Sequence, residues 1–153
     1  MDFNVGDVVY YEDYSDCPMT VSFLPGKTNF FGSIGKDFEK RIKKFGISND
    51  IYCTCFDKKN IFVCSYKPQT LTILSCNIAH PELNIGDVVF LKSDPERLMI
   101  VSAVLRQKDE HTVKLFEREI QCFGFKDGDV QCTWFNWLKR KKHFFKAEML
   151  VIV

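Results

Sequence analysis

The chain has 153 residues, a formal net charge of +1, 46% hydrophobic and 14% aromatic residues, and seven Cys. That much apolar material excludes a disordered chain, and the balanced charge excludes a global pull toward nucleic acid or membrane. An odd number of Cys excludes complete pairing within one chain.

In chain order, Met1-Asp2-Phe3-Asn4 has no basic region followed by an apolar run, so no signal peptide is expected. Gly6-Asp7 reads as a turn, with Gly6 supplying a conformation that a Cβ opposes and Asp7 able to bond a nearby backbone N–H. Val8 to Tyr11 reads as a strand, Ser15-Asp16-Cys17-Pro18 as a turn, and Met19 to Leu24 as a second strand. An insert over residues 25–49 follows. Its Phe38, Ile42 and Phe45 fall at helical spacing with Lys40, Arg41, Lys43 and Lys44 between them, and Gly46 sits where a helix would stop. Ile51 to Phe56, the turn Asp57 to Asn60, Ile61 to Tyr66 and the closing run Leu71 to Leu74 return to strand.

The junction Ser75 to Glu82 contains His80-Pro81, and beyond it the pattern starts again. Gly86-Asp87 opens a strand over Val88 to Leu91, then come the turn Ser93 to Glu96 and a strand from Leu98 to Leu105. The second insert, 106–128, carries Val113, Phe116 and Ile120 at helical spacing, and Gly124 sits where that helix would stop. Strands over Val130 to Phe135 and Lys142 to Phe145 flank a turn near Asn136 to Lys139, and Met149 to Val153 closes the chain. No apolar stretch approaches the length of a membrane-spanning helix.

Three blocks recur in one order. Phe3-Asn4-Val5-Gly6-Asp7-Val8-Val9 returns as Leu83-Asn84-Ile85-Gly86-Asp87-Val88-Val89, and Met19-Thr20-Val21 returns as Met99-Ile100-Val101. Cys53-Thr54-Cys55-Phe56-Asp57 returns as Cys132-Thr133-Trp134-Phe135-Asn136. Such a repeat predicts two modules, 1–76 and 82–153. Modules this small bury little surface alone, so the two are expected to pack together.

These blocks resemble the small YodC-like (DUF2158) family of uncharacterised bacterial proteins. The match is best in Ile85-Gly86-Asp87-Val88-Val89-Phe90-Leu91-Lys92-Ser93, Met99-Ile100-Val101 and Val130-Gln131-Cys132-Thr133-Trp134-Phe135-Asn136. The resemblance implies an SH3-like barrel and carries no catalytic residues. Family members are single short modules, whereas this chain has two copies with inserts. Residue pattern and resemblance together predict a mainly β protein: two tandem SH3-like small barrels, each with one amphipathic helix between its second and third strands. Similar barrels in Tudor and KOW modules bind peptides or nucleic acid, which is analogy of fold alone.

Enzyme chemistry finds no support in motifs: there is no glycine-rich phosphate loop, nucleophile elbow or His-Glu-x-x-His sequence. His80, His111 and His143 are scattered over linker, insert and turn. Gly6, Asp7, Gly86 and Asp87 are assigned to turns. Cys53 and Cys55 share a face of one strand, and Cys64 on the next could lie nearby. Without paired knuckles, core or surface thiols are favoured over a metal site or a disulfide. No cofactor is expected. Trp134, Phe135 and Trp137 precede Lys139-Arg140-Lys141-Lys142, which combines bases' stacking partners with phosphate-neutralising charge. A solvated turn is the competing reading, as a solvated helix face is for Lys36, Lys40, Arg41, Lys43 and Lys44.

The expected function is non-catalytic recognition of another protein through barrel edges or the groove between modules. The alternatives are nucleic-acid binding through Trp137 and Lys139 to Lys142, helped by Lys40, Arg41, Lys43 and Lys44, or a homo-oligomeric assembly component of bacterial or phage origin. A cytoplasmic location fits reduced cysteines.

Overall fold

The computed structural model describes residues 2–12, 14–28, 49–57, 60–76 and 81–153. The helix expected over 38–45, with Lys36, Lys40, Arg41, Lys43, Lys44 and Gly46, lies outside the described residues, as does His80.

The chain is mainly β. Its strands are β1 (Val8–Tyr11), β2 (Tyr14–Phe23), β3 (Ile51–Asp57), β4 (Asn60–Tyr66), β5 (Leu71–Ser75), β6 (Val88–Leu91), β7 (Asp94–Val104), β8 (Val130–Asn136), β9 (Lys139–Phe145) and β10 (Leu150–Ile152). They form two five-stranded antiparallel sheets, β4-β3-β2-β1-β5 and β9-β8-β7-β6-β10. The orders are identical, and so are the registers. Val9 faces Met19 as Val89 faces Met99, and Val21 faces Cys53 as Val101 faces Cys132. Both second strands are irregular at the same place, between Val21 and Phe23 and between Val101 and Ala103. Among the described residues no pairing joins the two margins of either sheet, so the sheets are open rather than closed barrels.

Local chemistry explains the shared register. Gly6 and Gly86 both have φ of +95°, which an L side chain resists. The Asp7 and Asp87 carboxylates each accept the Asn4 or Asn84 N–H at 2.8 Å. Gly6 N–H then donates to the Val21 carbonyl, and Gly86 N–H to that of Val101, each at 2.9 Å. A third turn repeats this design. Gly128 has φ of +96°, and Asp129 accepts the Lys126 N–H at 2.8 Å. That turn locks Leu105 to Asp129 at 2.7 Å and closes the second insert onto its sheet.

The second strands begin earlier than the expected turns allow, at Tyr14 and Asp94, and carry Pro18 and Pro95 inside them. Proline is tolerated there because both positions adjoin register shifts near the strand starts. The second insert holds two short helices, α1 (Glu110–Leu115) and α2 (Glu117–Phe123), instead of one. Asp109 caps α1 by accepting the His111 N–H at 3.0 Å, and Gly124, with φ of +67°, ends α2. The expected apolar side of this insert is the one that packs: Phe116 and Ile120 are buried with Leu105 and Phe125, and Val113 lies against them. No helix among the described residues is long and apolar enough to cross a membrane.

Each sheet buries one face. Val9, Met19, Val21, Ile51, Cys53 and Leu71 build the first core. Val89, Met99, Val101, Val130, Cys132, Trp134 and Phe145 build the second.

Candidate interaction surface

The opposite, outer faces of the two sheets meet different fates. On the first sheet, Val8, Thr20, Thr54 and Val63 form one row, set by register. Thr20 and Thr54 point away from their own core and are nevertheless buried. The cover is the second half of the chain. The Thr20 hydroxyl donates to Ser93 Oγ at 2.8 Å and accepts the Ser93 N–H at 3.1 Å. Phe56 stands edge to face with Trp134, centroids 5.3 Å apart, beneath the Arg97 guanidinium at 4.7 Å. Phe23 meets Phe123 at 5.4 Å. A Cβ added to Gly6 would run into the Glu148 carbonyl, so the two backbones approach at van der Waals distance there.

The corresponding row of the second sheet is Val88, Ile100, Thr133 and Lys142. Leu98 and Phe135, two residues along their strands, share its face. Here none of the contacts among the described residues covers the row as the second half covers the first sheet. Leu98 is 54%, Ile100 49% and Phe135 71% exposed, and Val88 and Val153 are exposed beside them. A contiguous apolar face of this kind is unusual for a protein working alone.

The basic run belongs to this surface in part. Lys139 to Lys142 lie on β9 and not in a turn. The turn is only Trp137-Leu138, because Asn136 pairs with Lys139. Arg140 pairs with Phe135 and Lys142 with Thr133, which puts both on the outer face; Lys139 and Lys141, opposite Asn136 and Trp134, point to the other side. Trp137 is 82% exposed and has φ of +59°. A bulky side chain rarely holds such a conformation, and retained backbone strain concentrates at functional positions.

A cleft of about 360 Å³ opens between the two halves. Phe23, Tyr52, Phe123, Phe125 and Phe144 wall it, with Arg118, Glu119, Lys142 and His143 among its polar lining. Burial pushes the His143 imidazole down to about 4 and raises the Glu119 carboxyl, so the imidazole is neutral at pH 7. Behind the cleft, Lys146 holds its ammonium 4.9 Å from the Phe23 centroid and 5.8 Å from that of Phe125. Burial lowers it to about 8, opposed by the Asp129 and Glu148 charges. Asp129 is itself raised to about 6 by burial, against backbone donors at Lys126 and Ala147.

The structure brings together more thiols than spacing suggests. Cys53 and Cys64 are direct cross-strand partners. Cys55 senses the charges of both Cys17 and Cys64. Burial holds Cys53 near 12 and Cys55 near 11, with neighbouring thiols adding to both. These thiols are therefore protonated at pH 7 and poor nucleophiles. Among the described residues no group of His, Cys, Asp or Glu has the arrangement of a metal site. Asp7 and Asp87 serve their turns, and His111 is exposed at the start of α1. Residue spacing alone misses Leu98 and Ile100 as surface residues, since a strand's alternation does not say which face another part of the chain will cover.

Compared with family models, characterised proteins and solved structures, the chain matches none.

Proposed function

We propose that the chain is a non-catalytic interaction module that recognises another polypeptide through the outer face of its second sheet. In this reading its halves, 1–76 and 82–153, are two opened SH3-like barrels of the YodC-like kind, packed into one body. The single observation that carries the proposal is the exposed apolar face of Val88, Leu98, Ile100 and Phe135, whose counterpart in the first sheet is buried at Thr20 and Thr54. Apolar centres rimmed by polar residues are the usual anatomy of protein interfaces. Trp137 and Arg140 beside this row are of the residue types that dominate binding energy. A photo-crosslinker at Leu98, with the same label at exposed Glu110 as control, tests this in cells expressing the chain. Discrete polypeptide adducts at Leu98 alone are expected; matching adduct patterns at both positions overturn it.

A second reading, nucleic-acid binding, has its own observation. Phe135 and Arg140 stand opposite each other on the exposed face, with Lys142 and Trp137 nearby. Aromatics that stack on bases and cations that neutralise phosphates are what a single-strand platform needs. Fluorescence anisotropy with short DNA and RNA at low salt tests it. Binding that weakens with salt and with Arg140→Ala/Lys142→Ala is expected on this reading, and absence of binding ends it.

A further inference from the structure

We propose that β4 is the pairing edge of a symmetric dimer: it adds antiparallel to β4 of a second copy of this chain and joins the two first sheets into one. This edge belongs to the first half and is separate from the exposed face of the second sheet.

The edge strands are β4 and β5 in the first sheet, β9 and β10 in the second. An edge presents backbone N–H and C=O groups without a strand partner, and proteins guard such edges with charge, bulges or brevity. Here every edge but one is guarded. β9 carries Lys139, Arg140, Lys141 and Lys142 within its seven residues. β10 is only three residues long. β5 bulges at Leu74, since Val8 faces Ser75 while Val9 faces Ile73. β4 has none of these devices. It runs seven residues, Asn60-Ile61-Phe62-Val63-Cys64-Ser65-Tyr66, without a charge or a proline. Its ladder to β3 is unbroken from Ile51 and Tyr66 to Asp57 and Asn60, so alternate residues turn their backbone groups outward along the whole strand. Among the described residues β4 pairs with β3 alone. Asn60 and the run Phe62 to Ser65 are exposed.

The contrast with β9 is the sharpest. The two strands hold the same place in sheets of the same order, and each makes an unbroken seven-residue ladder to its hairpin partner. One edge has four cations and the other has none. Charges within an edge strand keep other chains from pairing with it, so the basic run has an edge to guard and the neutral run leaves one open. Ile61, Phe62, Val63 and Tyr66 are strand formers as well. The occupant that fits is the same strand. Antiparallel self-pairing centred on Val63 sets Phe62 against Cys64, Ile61 against Ser65 and Asn60 against Tyr66, and no like charges meet. β9 centred on Lys142 in the same way would set two ammonium groups on each other. Lys67, the first charge after β4, is held by Asp50 at 2.8 Å. Such a contact is isologous and uses the one unguarded edge of each copy, so assembly stops at two chains.

Light scattering on a sizing column, from low to high micromolar protein, tests the dimer, and hydrogen–deuterium exchange tests its geometry. The wild-type mass is expected to rise toward two chains, and alternate amides of β4 are expected to exchange more slowly as concentration rises. Val63→Lys/Ser65→Lys gives β4 charges of the kind β9 carries and is expected to stay monomeric. Phe62→Lys is a second edge variant with the same expectation, and circular dichroism checks both folds. Ile100→Asp, on the exposed face of the second sheet, is expected to leave the dimer intact. A wild type that is monomeric throughout overturns the pairing. So does a dimer that survives both edge variants, one that forms without added protection in β4, or one that Ile100→Asp dissolves. A monomeric wild type with a foreign polypeptide crosslinked at Phe62 gives the edge to another protein and overturns the second copy.

Discussion

Phe56 and Trp134 meet edge to face across the seam, one from each sheet, with centroids 5.3 Å apart. Trp134 is also part of the second core, so this contact couples the two halves. Trp134→Ala is expected to cost about 3–5 kcal/mol. Phe56, only partly buried, is expected to cost less as Ala, below the roughly 1.5–3 kcal/mol of a fully buried apolar side chain. A double-mutant cycle by urea unfolding should return a coupling of about 0.5–1.5 kcal/mol. Strict additivity would show that the rings are merely neighbours.

Gly6 and Gly86 share a backbone and differ in surroundings. Alanine at either must hold a positive φ, a strain of about 1–2 kcal/mol. Gly6→Ala must also push against the Glu148 carbonyl, whereas Gly86→Ala enters open space. Urea midpoints should therefore place Gly6→Ala well below Gly86→Ala. Equal losses would mean the seam yields freely at Gly6.

The buried His143 imidazole gives the fold an acid-sensitive part. Its folded value lies near 4, below the ordinary 6.5, so its contribution is present above pH 6.5 and is lost as pH falls toward 4. Asp129 acts oppositely. Raised to about 6 from 3.8, it favours the fold below pH 4 and loses that contribution as pH rises through 6. In the wild type the two slopes oppose each other. With His143→Gln the Asp129 slope is exposed, and stability relative to wild type should climb from pH 6.5 to 4. A pH-independent difference between variant and wild type rejects the neutral buried imidazole.

On the alkaline side Lys146 is the buried cation that titrates. Its folded value of about 8 lies below the ordinary 10.5. Its contribution is thus complete above pH 10.5 and declines as pH falls through 8. Lys146→Met keeps the apolar stem and removes the titration. Buried Cys53, Cys55 and Cys132, all raised from 9.0, tilt both proteins the other way, so the difference is what is read: wild-type stability relative to Lys146→Met should rise from pH 8 to 10, and a pH-independent difference would count against a desolvated ammonium.

All seven cysteines are free, and their exposure ranks them. Cys17, Cys64 and Cys76 are exposed, Cys55 and Cys122 partly covered, Cys53 and Cys132 buried. A chromogenic thiol reagent at pH 8 should consume three thiols quickly and two slowly, with the last two released only by denaturant. Early loss of Cys53, followed by mass spectrometry, would contradict the placement of β3.

Much of the fold is legible in the sequence because its determinants are local. Gly6-Asp7 and Gly86-Asp87 write their turns in two residues, and alternation then fixes which of Val8 and Val9 faces the core. The third such turn, Gly128-Asp129-Val130, is equally visible as a motif, but it lies in the insert, where helical spacing draws attention first. What is not legible is tertiary. Thr20 and Thr54 read as ordinary outward positions and are buried because another part of the chain lies on them. Lys139 to Lys142 read as a solvated turn because four cations are adjacent. The pairing of Asn136 with Lys139 draws them into a strand instead and divides them between two faces.

The equal registers of the two sheets have a consequence for how the chain assembles. β1 carries the same pattern as β6, so β7 offers β1 nearly the ladder that β2 does. Strand chemistry alone would permit exchange between halves, a known route to misassembly in repeat proteins. Loop length separates the outcomes. β1 and β2 are joined by two residues, while 82 residues, Glu12 to Ser93, separate β1 from β7. The difference in closure entropy is about 3 kcal/mol in favour of the near partner. The short hairpin turns act as a sorting device: proximity along the chain, more than the identity of the strands, decides which sheet each strand joins.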